Sequence, residues 1–158
     1  MSIDVIILDK DPLACAQAYN DEDVVQRASE YATTLQLANA AMNGGPSPRH
    51  VLAKWAQGQT AFDWLSSLVY YLFEEQDYRF GTIDYQAQDK FFTVWHPHDD
   101  SFLDTKEVPR FLQLITPKIQ GDPVQAYRNW YASEAWASWT RREPPKWWVL
   151  PSQLSIKF

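Results

Sequence analysis

The chain has 158 residues, a formal net charge of −6, 46% hydrophobic and 22% charged residues, which fits one ordinary globular domain and excludes a disordered composition. The acidic balance excludes a salt-driven grip on nucleic acid over the whole surface, and the single Cys15 excludes an internal disulfide or a multi-cysteine zinc site. No apolar run reaches the roughly 20 residues that span a bilayer, and the start lacks a basic signal region, so the expectation is a cytoplasmic protein with no membrane partner.

In chain order, Ile3, Val5, Ile6, Ile7 and Leu8 form an apolar run that reads as a buried strand or extended segment. Asp11-Pro12 opens a short helix to about Tyr19, with Asp as N-cap and Pro at the first helical position. Asn20-Asp21-Glu22-Asp23 supplies a second cap and an acidic first turn. Val24, Ala28, Tyr31, Leu35, Ala38 and Met42 then repeat at three and four until Gly44-Gly45-Pro46. A helix from near Ser47-Pro48 to Gly58 and another from Thr60 to Gly81 are expected to form an antiparallel pair. Residues 84–95 fit a helix or an extended segment, because the period does not decide.

Residues 96–120 read as a long irregular surface excursion. Asp122-Pro123 repeats the earlier helix opening, with Val124, Tyr127, Trp130, Tyr131, Ala135 and Trp139 at helical spacing before Pro144-Pro145. Two apolar stretches in the tail, Trp147–Leu150 and Leu154–Phe158, are candidates to add edge strands beside Ile3–Leu8. The predicted fold is therefore mainly α: a single compact helical domain over residues 1–158, with a short N-terminal strand paired to the C-terminal tail as one option.

Charge and aromatics are unevenly placed. Residues 121–158 carry five basic against three acidic side chains, a net of +2, which leaves −8 on residues 1–120. In that C-terminal segment Trp130, Trp136, Trp139, Trp147 and Trp148 interleave with Arg128, Arg141, Arg142 and Lys146. Aromatic faces that stack bases beside cations that meet phosphates are what single-stranded or flipped-base binding needs. Tryptophans at helical spacing equally suit a packed core.

Glu30 falls mid-helix, seven residues after Asp23 and two turns along nearly the same face. Such a carboxylate suits general acid–base work or the stabilisation of a cation at a sugar carbon, although an exposed helix glutamate satisfies the same spacing. His96, His98, Asp99 and Asp100 cluster, with His50 the only other histidine. Without donors converging from a second segment they read as a solvated loop, and no metal or other cofactor is expected. Asp9, Asp11, Asp21 and Asp23 lack the glycine and terminal glutamate of a calcium loop and are read as helix caps. Cys15, between Ala14 and Ala16, reads as a small packed residue, and Gly44-Gly45 lacks the lysine of a phosphate loop.

Several of these pieces carry a resemblance. Asp9-Lys10-Asp11-Pro12, Asn20-Asp21-Glu22-Asp23-Val24-Val25-Gln26 leading to Glu30-Tyr31-Ala32, and Tyr78-Arg79-Phe80-Gly81 resemble a family of small tailed-phage proteins. So do Trp64-Leu65, Asp122-Pro123-Val124-Gln125-Ala126-Tyr127-Arg128 and Glu143-Pro144-Pro145-Lys146-Trp147-Trp148. More remotely, the layout is similar to the phage pyrimidine-dimer DNA glycosylases of the endonuclease V type, all-helical enzymes in which an N-terminal α-amine attacks the sugar carbon and a helix glutamate assists.

The resemblance implies Glu30 as the glutamate, Asp23 in the place of a histidine seven residues earlier, and Ser2 as the amine once Met1 is removed. An α-amine with a pKa near 8 is partly unprotonated at neutral pH and can form a Schiff base. Tyr127, Arg128, Arg141, Arg142, Trp139 and Trp148 are then the candidates to hold the nucleobase or nucleotide. The sequence departs from the family where Glu22-Asp23 replace Lys-His, Gln26 replaces Lys, and Ser29 and Thr33 replace flanking arginines. Acidic residues beside Glu30 disfavour a phosphate backbone there. Two other readings therefore stand beside a glycosylase-like enzyme: a non-catalytic phage protein whose acidic N-terminal part binds a host protein by charge complementarity, and a nucleotide-binding protein.

Overall fold

The computed structural model describes residues 5–48, 51–94, 122–132 and 137–148. They form a mainly α structure of six helices: α1 (Pro12–Ala18), α2 (Asp21–Met42), α3 (Val51–Trp55), α4 (Gln59–Phe80), α5 (Tyr85–Phe92) and α6 (Pro123–Tyr131). The expected 96–120 excursion lies outside the described residues, as do Ser2, Trp136, His50 and the His96–Asp100 cluster. No helix among the described residues is long and apolar enough to cross a membrane.

The helix starts are set locally. Asp11, Asn20, Asp84 and Asp122 each turn a side-chain oxygen onto a backbone N–H of the first turn of α1, α2, α5 and α6, satisfying a donor that the helix cannot. Pro12 and Pro123 follow two of these caps, where a missing N–H is harmless. Gly81 ends α4 at φ 69°, a left-handed conformation that L side chains rarely adopt. Beyond α2 the chain folds back so closely at Gly45 that a Cβ there would lie 2.7 Å from the Ala40 carbonyl oxygen.

Packing then orders the helices. The two 22-residue helices, α2 and α4, lie against each other, α1 packs on α4, and α5 and α3 pack on α2. Val24, Ala28, Tyr31, Leu35 and Ala38 of α2 share one buried core with Leu65, Leu68, Val69 and Leu72 of α4. The expected pairing of the helix ending near Gly58 with α4 is thus corrected: α3 is a single short helix whose main neighbour is α2. The helix begun at Asp122-Pro123 also stops earlier than its period predicts, at Tyr131, and Ala137–Trp139 are not helical.

The N-terminal apolar run is buried as expected, but Val5–Leu8 is not a strand, and no strand occurs among the described residues. Its backbone is satisfied by side chains instead of a neighbouring ladder. Ile6 N–H donates to the Tyr31 hydroxyl (2.9 Å), and the Ile6 carbonyl accepts from the Tyr19 hydroxyl (2.7 Å). Leu8 N–H points at Cys15 Sγ (3.4 Å), and the Leu8 carbonyl accepts from Arg128 Nε (2.7 Å). Buried amide groups need partners of some kind, and here α1, α2 and α6 provide them. The tail stretches offered as strand partners reach beyond residue 148, outside the described residues.

A second polar knot closes the other side of the α1–α2 junction. Arg79, on α4, is fully buried and donates to Glu75 (2.8 Å), Asp21 (3.2 Å) and the Gln17 carbonyl (3.0 Å). Asp21 also accepts from Thr140 and Ser138, which draws residues 138–142 onto the helices. Burial works against the Asp21 charge, but these hydrogen bonds outweigh it and hold its carboxyl below the ordinary value of 3.8. The stabilisation is therefore present above that value and fades as pH falls below it.

Candidate functional site

The first half of α2 carries Asp23, Arg27 and Glu30 along one face. Arg27 Nη1 donates to Glu30 Oε2 at 2.9 Å and its Nε to Asp23 Oδ1 at 3.3 Å, so one guanidinium joins both carboxylates that the sequence singled out. All three side chains are partly buried, with 21% of Arg27, 14% of Asp23 and 23% of Glu30 exposed. Burial alone would lower the Arg27 pKa. The surrounding Tyr31, Asp23 and Glu30 more than offset this and raise it above the ordinary arginine value.

Tyrosines from three segments frame this face. The Tyr131 hydroxyl, on α6, donates to Asp23 Oδ2 (2.6 Å) and accepts from Asn20 N–H (2.8 Å). Tyr19 and Tyr31 share a hydroxyl–hydroxyl bond of 2.9 Å and grip Ile6 between them. Trp147 lies edge-on to Tyr131 at 6.3 Å and under the Arg128 guanidinium at 5.4 Å. The chain's N-terminal segment, the acidic half of α2 and the C-terminal aromatic segment therefore meet at one place.

This tyrosine cluster gives the fold an alkaline limit. Burial, chiefly, pushes the Tyr19, Tyr31 and Tyr131 hydroxyls well above their ordinary value near 10, and the Asp23 charge adds to this at Tyr131. Because the folded state holds these protons more tightly, their stabilisation is complete below pH 10 and is lost as pH rises beyond it. In a spectrophotometric titration at 295 nm, these three phenols are expected to stay silent as long as the fold holds, and then to appear together with unfolding. Their gradual ionisation with helical signal intact would contradict this arrangement.

The C-terminal candidates are placed differently from one another. Arg128 spans from Leu8 to Asp9 (3.1 Å) and stacks on Trp147. Arg142 is held by Glu75 through its Nε (3.0 and 3.1 Å) and lies 4.3 Å over the Tyr78 ring. Arg141 is exposed, at φ 59°, and donates to the Tyr78 carbonyl at 3.2 Å. Tyr127 is buried. Trp139 donates its indole N–H to the Ala18 carbonyl (3.0 Å) and meets Trp148 edge-on at 4.9 Å. The buried Trp148 Nε1 has no hydrogen-bond partner among the described residues. Arg128 and Trp147 thus join the Glu30 side of the molecule, whereas Arg141, Arg142, Trp139 and Trp148 belong to the Arg79 side.

Arg27 is not among the residues that the sequence singles out, and Tyr31 and Tyr131 appear there only as members of apolar helical stripes or a motif and not as site residues. Arg27 had a readable signal, lying four residues after Asp23 and three before Glu30, both ion-pairing distances on a helix. The Tyr131–Asp23 bond joins residues 108 apart and had none. Of the three acidic residues in the first turn of α2, Asp21 and Asp23 turn inward to partners and Glu22 is exposed. Cys15 is buried against the N-terminal segment, and burial pushes its thiol up to about 12. Among the described residues no group of His, Cys, Asp and Glu gathers as a metal site.

Comparison of the chain with protein-family models, with curated proteins and with solved structures finds no match.

Proposed function

We propose that this protein is a phage-encoded, DNA glycosylase-like enzyme that cleaves the N-glycosidic bond of a nucleobase, with Glu30 as the assisting carboxylate and the Ser2 α-amine as nucleophile. The observation that supports this reading is the bond between Ile6 and the turn of α2 that carries Glu30. Ile6 is bonded to Tyr31, the residue after Glu30, and Val5–Leu8 is buried. Ser2 lies three positions before Val5, an extended reach of at most about 11 Å.

In the proposed reaction the Ser2 nitrogen attacks C1′, and the bond from C1′ to the base breaks with its electron pair leaving on the base. One amine proton balances the departing base, while the Glu30 carboxylate faces the positive charge that develops on the sugar. The second amine proton passes to O4′ as the ring opens, leaving an imine. Water then hydrolyses the imine to an aldehyde and returns the amine. Arg27 acts as a positioning residue, orienting Glu30 through the 2.9 Å bond, and Asp23 with Tyr131 fixes Arg27 from the other side.

The test is base release, followed by mass spectrometry, from single- and double-stranded oligonucleotides carrying ordinary, ultraviolet-dimerised or modified pyrimidines. Release of one class of base above the spontaneous rate is expected from protein whose N-terminus is confirmed as Ser2. Failure with every probe would overturn the enzymatic reading and favour a binding protein.

A further inference from the structure

Between α4 and α5 lies a groove of about 370 Å³, on a different part of the molecule from the Glu30 face. Its floor is made of the nearly buried rings of Phe73 and Phe91, 5.9 Å apart, and its sides of Tyr70, Ile83 and the 40%-exposed Phe92. Glu74 and Asp77 stand on its rim, three residues apart on α4 and so on one face. Both residues are exposed, and neither carboxylate makes a hydrogen bond or ion pair among the described residues. The arginine–carboxylate pairs of the described residues lie elsewhere, on α2, around Arg79 and at Arg128, so none of them neutralises this couple beside the apolar cleft.

We propose that this groove binds a small organic cation: an ammonium group held by Glu74 and Asp77, carried on an apolar body that lies against Phe73, Phe91 and Phe92. Size, shape and charge each point the same way. The volume falls at the lower end of small-ligand pockets, roughly 300–1,000 Å³, and the lining has the usual form of apolar walls with a few polar groups to orient the ligand. Ring faces attract a cation through their quadrupole, and two carboxylates add a charge that an anion or a neutral ligand would not satisfy. The net charge of −8 over residues 1–120 further raises the local concentration of cations. A bare metal ion is a poor occupant, because the aromatic walls offer it no ligands.

The probe is 2-phenylethylammonium, compared with 2-phenylethanol and 3-phenylpropionate, with binding followed by amide chemical shifts in the full chain. The expected result is saturable binding of the amine that moves the amides of Asp77, Ile83 and Gln88. Affinity for the alcohol and the carboxylate should be at least about tenfold weaker. Glu74→Gln/Asp77→Asn changes only exposed side chains and is expected to keep the fold while losing at least about tenfold in amine affinity. Phe92→Ala should weaken the amine and the alcohol together. Equal binding of amine and alcohol, unchanged affinity in the double variant, or no binding of the amine would overturn the proposal. Binding of acetyl-Phe-Lys-amide without binding of the free amine would also overturn it, by making the cation a side chain of a protein partner.

Discussion

Glu30→Gln is expected to slow base release by about 10²–10⁴-fold, the usual contribution of a positioned acid–base group, while leaving the protein folded. Glutamine keeps the shape of the side chain and an oxygen for Arg27, but it cannot face a developing cation with negative charge. The cost to stability is small because Glu30 is partly exposed and Arg27 retains Asp23. A partly exposed pair along one helix contributes on the order of 1 kcal/mol, or roughly 2–4 °C in a chain of this length. Base release and thermal melting measured on the same preparation separate the two roles. Full activity in the variant would remove Glu30 from the reaction, and a collapse of the melting transition would make it a structural residue.

The largest effect on stability is expected from Arg79→Met. Methionine fills much of the same volume, so the loss is electrostatic rather than a cavity. It strips a guanidinium from buried Glu75, from Asp21 and from the Gln17 carbonyl at once. Glu75 keeps Arg142 and Asp21 keeps Ser138 and Thr140, so the loss is that of buried charge-assisted hydrogen bonds and of the donor to the Gln17 carbonyl, about 1.5–3 kcal/mol. Arg142→Met serves as the control. That side chain is 30% exposed, and its loss leaves Glu75 still paired with Arg79, so a cost of about 1 kcal/mol or less is expected. Urea unfolding of the two variants should therefore give clearly different midpoints. Equal midpoints would show that the Arg79 knot does not hold the α1–α2 junction.

The pattern of which features could be read in advance has a physical basis. Helix openings at Asp11, Asn20 and Asp122 were legible because a cap is made within three residues of chain. The stripe from Val24 to Ala38 was legible because its period is that of a helix with one buried face. Val5–Leu8 was legible as buried but not as to its partners, since an apolar run says that water is excluded and not which groups take its amides. Those groups, Tyr19, Tyr31 and Arg128, lie 13 to 120 residues away. The α5 helix is only eight residues long, too short for its period to separate helix from strand, and Asp84 as its cap was the better signal.

The candidate site divides in the same way. Asp23 and Glu30 on one face of α2 follow from a spacing of seven, and Arg27 between them follows from spacings of four and three. The roles of Tyr131 and Trp147 depend on where α6 docks, which no local pattern encodes. The same holds for the aromatic and basic residues after Asp122. Their composition was plain, but their division between the Arg128–Trp147 side and the Glu75–Arg79 side is a matter of tertiary packing.

The amine chemistry is tested most directly with DNA carrying an abasic site, incubated with protein of confirmed Ser2 N-terminus and reduced with borohydride. The aldehyde of the abasic sugar is common to the products of all such glycosylases, so this probe does not depend on knowing the base. A covalent adduct that peptide mass mapping places on the Ser2 nitrogen is expected. No adduct, or adducts only on lysine side chains, would contradict it.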